Sequence, residues 1–178
     1  DTPAEPDVPV PPQNFTPENL HNKAFSTGAR VGINVSEAQS VIDWYNARNS
    51  ATLDYAMIRV GYRDAYGNCT LDSQFEQNIT NALATNASLY DGFKVGVYFE
   101  LDINNTWDVA SAAQQVANWL DSHRYDIAYP VALRLINEAP ESTMDSNTRT
   151  QIAKDFFSKM KELYPECKTA LFVTREDL

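Results

Sequence analysis

The run PVALRLINEAP, Pro130 to Pro140, places a charged side chain where a sequence of this kind should be apolar. It is β-branched and leucine-rich, entered from one proline and left through Asn-Glu-Ala-Pro, the pattern of a strand buried on both faces. Alternate side chains face opposite ways, so Ala132, Arg134 and Ile136 share one face and Val131, Leu133 and Leu135 the other. A buried guanidinium is costly unless a carboxylate meets it. Glu100, which ends the run KVGVYFE, is the first candidate partner, with Glu138 and Asp102 behind it. The expected chemistry at this point is therefore a salt bridge between Arg134 and Glu100.

Alternating elements must hold these residues. Strands are predicted over Arg30–Val35 (RVGINV), Tyr55–Gly61 (YAMIRVG), Lys94–Glu100, Pro130–Ile136 and Thr169–Thr174 (TALFVT). Helices are predicted over Val41–Arg48, where Val41, Ile42 and Tyr45 give the i, i+3, i+4 spacing and Trp44 reads as a packing anchor, and over Ser73–Asn86, introduced by Asp72. Two more follow over Trp107–Ser122, capped by Thr106, and over Asn147–Tyr164. Crossovers long enough to hold a helix predict a parallel α/β sheet with right-handed connections. Gly32, Gly96 and Ala132 share faces with Asn34, Tyr98 and Arg134. Small and polar residues facing one narrow interior predict a βα-repeat barrel. Chemistry in such folds gathers at the C-terminal strand ends, where Asn34, Tyr62, Arg63, Tyr98, Glu100, Arg134, Ile136, Asn137 and Glu138 fall.

Composition excludes several classes of function. A formal charge of −10 leaves no basic face for nucleic acid. No apolar run approaches the ~20 residues of a membrane-spanning helix. No G-x-G-x-x-G or phosphate loop follows the first strand, which disfavours nucleotide binding. Two cysteines and two separated histidines make no metal site, and no cofactor is expected. Cys69 and Cys167 fall at opposite ends of a parallel sheet, so two free thiols are expected. Residues 1–28 read as a proline-rich linker with a short helical lead-in, and 29–178 as the folded domain. A stalk of this composition suits an exported protein, extracellular or at the cell surface. N-x-S/T sequons at Asn14, Asn34, Asn68, Asn78, Asn86 and Asn104 matter only in a host that glycosylates. Asn34 sits in a predicted buried strand, which argues against modification there.

Blocks in a consistent order carry a resemblance. GINVS at 32–36, IDW at 42–44, IRVGYR at 58–63, LDSQFEQN at 71–78, VGVYF at 95–99, PVALRL at 130–135, RTQIAKDFF at 149–157 and TALFVTRE at 169–176 are similar to glycoside hydrolase family 25. That family contains lysozymes cutting peptidoglycan between N-acetylmuramic acid and N-acetylglucosamine. The resemblance implies a (β/α)5β3 TIM-like barrel, here incomplete at the C-terminus, whose open edge further residues or a partner chain would cover. It also implies a role at cell-wall glycan.

The family's acidic positions are substituted. The first strand usually ends G-I-D-V-S, and Asn34 replaces the acid. The fourth strand usually carries D-x-E, whose Glu is the proposed general acid; here those positions are Arg134 and Ile136. Glycoside hydrolysis needs a proton donor and a group that stabilises or attacks the cationic centre. Asn34 is neutral, Ile136 holds no proton, and Arg134 adds positive charge where positive charge develops. The resemblance therefore implies a catalytically degenerate binding or scaffold module, with Asn34, Tyr62, Arg63, Tyr98 and Asn137 as glycan-binding candidates. Tyr62 and Tyr98 suit a sugar platform and barrel filling equally, and Arg59 reads as an inward structural anchor. One alternative is an active or weak muramidase using relocated carboxylates, Glu138 and Glu100. Another is a protein-interaction domain with no glycan ligand.

Overall fold

The computed structural model describes residues 30–39, 41–51, 53–88, 93–104, 108–137 and 145–172. The expected linker over 1–28, the Thr106 cap, Trp107, Glu138 and Thr174 lie outside them.

The described strands are β1 (Gly32–Val35), β2 (Tyr55–Arg63), β3 (Cys69–Leu71), β4 (Lys94–Asp102), β5 (Val131–Ile136) and β6 (Thr169–Leu171). The helices are α1 (Trp44–Ala51), α2 (Phe75–Ser88), α3 (Val109–Leu120) and α4 (Ser146–Leu163). The sheet runs β1-β2-β4-β5-β6 with every neighbour parallel, and β3 pairs antiparallel with the end of β2. Each parallel neighbour demands a crossover, and a helix lies in each of them.

One face of the sheet is sealed by helices. Val97, Phe99 and Leu101 of β4, Ile58 and Val60 of β2 and Leu133 of β5 are fully buried. They meet Ala112, Ala113, Val116 and Leu120 of α3 and Phe156 and Met160 of α4 in one apolar cluster. The Phe99 ring stacks on Phe156 at 5.9 Å and tilts against Trp119 at 6.4 Å. Spacing of three and four residues puts each helix's apolar side chains on one stripe.

Three local expectations differ from what is observed. The first helix starts at Trp44 instead of Val41, and its anchor is Trp44, buried at 4% exposure and edge-on to Phe93 at 6.2 Å. Val41 and Tyr45 are exposed. The indole buries more area than either alternative, so it decides which face turns inward. Strand β3 was not expected. It is three residues long, too short for a periodicity signal, and exists because the end of β2 offers it a ladder. Asn34 is exposed instead of buried. β1 ends the strand order, and beside it the inner face opens into a trough of about 460 Å³ lined by Gly32, Asn34, Tyr55, Met57, Tyr129 and Phe172 among others.

The two thiols are free. Cys69 is half-buried, Cys167 is buried, and burial pushes both above the ordinary thiol range.

Candidate functional site

A break in the alternation of β2 positions the polar residues of the inner face. Arg59 lies beside Tyr98 of β4, but Gly61 lies beside Phe99, so one residue, Val60, is extra. This is a β-bulge. Beyond it the phase inverts: Tyr62 pairs with Glu100 and faces inward, while Arg63 pairs with Leu101 and faces the helices. Glycine suits the bulge, because a Cβ on Gly61 would stand 2.3 Å from the Thr70 carbonyl oxygen and 2.9 Å from the Trp119 ring. The Arg59 guanidinium sits over the Tyr62 ring at 5.3 Å, a contact that needs the inversion.

The inner face carries a continuous ion-pair network across the strand ends. Glu100 accepts from Arg134 Nη1 at one oxygen and from Arg59 Nη1 at the other, each at 2.8 Å. Arg59 also donates through Nε to Asp72 at 2.8 Å and through Nη2 to Glu37 at 3.1 Å. Asp72 is fully buried and accepts from the backbone amides of Glu37 and Gln74 as well. Burial alone would lower the Arg59 guanidinium pKa, but hydrogen bonds to Glu100 and Asp72 more than reverse it. Hydrogen bonds from Ser73, then the Arg59 charge, hold Glu37 below its usual range. Arg59 is the hub of the network.

Aromatic rings wall off one side. The buried Tyr98 ring meets Phe172 edge-on at 5.2 Å, and the Arg134 guanidinium lies over the same Phe172 ring at 5.6 Å. Burial, reinforced by the Glu100 charge, pushes the Tyr98 hydroxyl up to about 12. A second polar cluster lies beyond the ends of β4 and β5. Asp102, fully buried, accepts from the Asn104 amide and side chain, and Asn104 Nδ2 donates to Asn137 Oδ1 at 3.0 Å.

The structure thus gathers Tyr62, Tyr98, Glu100 and Arg134 around Arg59. Ile136 shares the inner face with Arg134 and lies beside Asp102. Asn34 stands apart on the rim of the trough. Arg63 does not join the inner face. It is 5% exposed and donates to the carbonyls of Gly67 and Asp108. That contact helps hold Asp108, whose φ of 54° is left-handed and whose side chain caps α3 at Ser111. Sequence reasoning placed Arg63 with Tyr62 because it carried no signal for the bulge except Gly61. It also left out Asp72, just before α2, and Glu37, at the start of a short 3-10 turn after β1, which lie 13 and 22 positions from Arg59.

Among the described residues, the inner-face carboxylates are paired with guanidiniums or backbone amides. Each Glu100 oxygen accepts one guanidinium N–H, which turns the carboxylate toward Arg59 and Arg134. Asp72 and Asp102 are fully buried. Among the described residues, no group of three or more His, Cys, Asp or Glu side chains is placed to hold a metal ion.

Comparison with known proteins supplies a fold. No family model matches the sequence, and no curated protein matches it. The structure is similar to the modular autolysin LytC of Streptococcus pneumoniae, with a TM-score of 0.64 and 19% identity over 83% of this chain and 33% of that one. A structure of LytC in complex with a synthetic peptidoglycan ligand gives a TM-score of 0.62 and 20% identity, over 81% and 32%. GHIP, a glycosyl hydrolase 25 of the same organism that participates in host cell invasion, gives 0.60 and 18%, over 90% and 66%. The chain thus spans about a third of the LytC chains. The fold is that of the glycosyl hydrolase 25 structures, part of a TIM-like barrel.

Proposed function

We propose that residues 29–178 form a lysozyme-like domain that binds cell-wall glycan without cleaving it, on a protein exported to the cell surface. The observation that carries the proposal is the inner ion-pair network. Where a glycosidase keeps a protonated acid and a second carboxylate, this face has Ile136 and an Arg134–Glu100 pair. Losing positioned acid catalysis costs about 10²–10⁴-fold in rate, and a cation beside the reacting centre opposes the developing charge further. What remains suits recognition: Tyr62 under Arg59, the exposed Asn34 at the trough, and Asn137 at the end of β5. The fold shared with LytC, one of whose structures holds a synthetic peptidoglycan ligand, supports peptidoglycan as the glycan.

Two assays on the purified chain test the proposal. Retention on insoluble peptidoglycan is expected, with no clearing of a cell-wall suspension. Clearing that disappears in Glu138→Gln would establish a working muramidase instead. Absence of retention would remove glycan and leave a protein-interaction domain.

A further inference from the structure

The two guanidiniums of the inner face are unequally satisfied. Arg59 spends Nε, Nη1 and Nη2 on three different carboxylates. Among the described residues Arg134 makes one hydrogen bond, from Nη1 to Glu100, although a guanidinium carries five N–H donors. Its Nε is buried and has no partner among the described residues, so the donors left for a ligand are those of its terminal nitrogens. Its side chain is 30% exposed, against 15% for Arg59, so part of the fork reaches solvent. Glu100 meets it through one oxygen and turns the other to Arg59. The guanidinium lies over the Phe172 ring, 5.6 Å from its centroid.

A planar cation set against a ring, with donors left over at its two terminal nitrogens, matches one chemistry best, a carboxylate bound end-on through those nitrogens. We propose that Arg134 is the recognition residue for a sugar-borne carboxylate, so that this domain selects acidic over neutral glycans. The inference rests on the glycan-binding reading above and adds the ligand's charge to it. Arg134 then does more than stand where the related lysozymes carry an acid: it offers a local cation beside Glu100 to an anionic ligand group. Two kinds of ligand carry the required group, a muramic-type sugar with its lactyl ether carboxylate and a uronic acid.

The test compares four probes by calorimetric titration of the whole chain: N-acetylglucosaminyl-N-acetylmuramic acid, the same disaccharide with its carboxylate converted to the amide, di-N-acetylchitobiose and digalacturonic acid. The acidic muramyl disaccharide is expected to bind at least about tenfold more tightly than its amide, the scale of one charge-assisted hydrogen bond. Arg134→Met should abolish that difference, and Arg134→Lys should restore only part of it, since lysine keeps the charge but not the fork. Thermal melting of each variant separates a binding change from a folding one. Equal affinity for acid, amide and chitobiose would overturn the inference and leave glycan binding standing. Arg134-dependent binding of digalacturonate alone would uphold the inference with a uronate source and sink the peptidoglycan reading. No binding of any probe would overturn both.

Discussion

On the helix side of β4, Val97, Phe99 and Leu101 are fully buried; on the other side Tyr98, Glu100 and Asp102 are 3%, 8% and 0% exposed. The two faces of one strand are thus buried almost equally but built from opposite chemistry. The apolar face is stabilised by area removed from water and by close packing, and it tolerates change in proportion to volume lost. The polar face is stabilised only while every charge keeps its partner, so a single deletion there exposes another group's desolvation cost. Burial by itself therefore does not tell what a position contributes; the partner list does.

Phe99→Ala should produce the largest effect, about 4 kcal/mol lost in urea unfolding, since the ring is sandwiched between Trp119 and Phe156 and nothing nearby can fill the gap. Glu100→Ala should follow at about 3 kcal/mol, because it strips a partner from Arg59 and Arg134 together. Arg134→Met should cost less, about 1 kcal/mol, because Glu100 keeps Arg59 and Arg134 is partly exposed. If Arg134→Met proves as damaging as Glu100→Ala, the hub assigned to Arg59 is wrong. If Glu100→Ala leaves the urea midpoint unmoved, the polar face contributes nothing and the contrast between faces collapses.

Acid titration sharpens the same contrast. Glu37 is held below its ordinary value of 4.5, chiefly by Ser73 and then by Arg59. A carboxylate whose folded pKa is depressed contributes stability above its unfolded pKa and loses it as pH falls through the folded value. Urea midpoints should therefore stay level from pH 7 toward pH 5 for this group's contribution and decline below about 4.5. Glu37→Gln should lessen the decline, and an unchanged acid limb in that variant would show that Ser73 and Arg59 do not act on Glu37 as described. The smallest effect is expected at the helix surface. Lys159→Ala removes a pair to Glu162 on α4 and should change stability by no more than about 0.5 kcal/mol.

Much of this was legible in the chain itself. Runs such as KVGVYFE and PVALRLI announce buried strands because few other structures hide so many consecutive apolar side chains, and α3 shows its stripe through Val109, Ala113, Val116 and Leu120. A guanidinium inside such a run already demands an anion, and the period-two alternation of neighbouring strands names Glu100, which stands beside Arg134 in the ladder. Asn34, Arg134 and Ile136 are likewise plain in the sequence, because side-chain chemistry needs no coordinates.

Tertiary structure alone decided the rest. The extra residue at Val60 inverts the phase of β2, turning Tyr62 inward and Arg63 outward, and a bulge is settled by pairing with β4 rather than by the residues of β2. Arg59 acquires Asp72 and Glu37 from segments 13 and 22 positions away, contacts that only the folding of the chain brings within 2.8 and 3.1 Å. Tyr45 stays exposed on α1 while Trp44, the packing anchor expected there, lies edge-on to Phe93. Local patterns fix which faces are apolar and which residues carry charge. How strands meet, and which charges share a partner, depends on distances between residues remote in sequence, and no local pattern contains them.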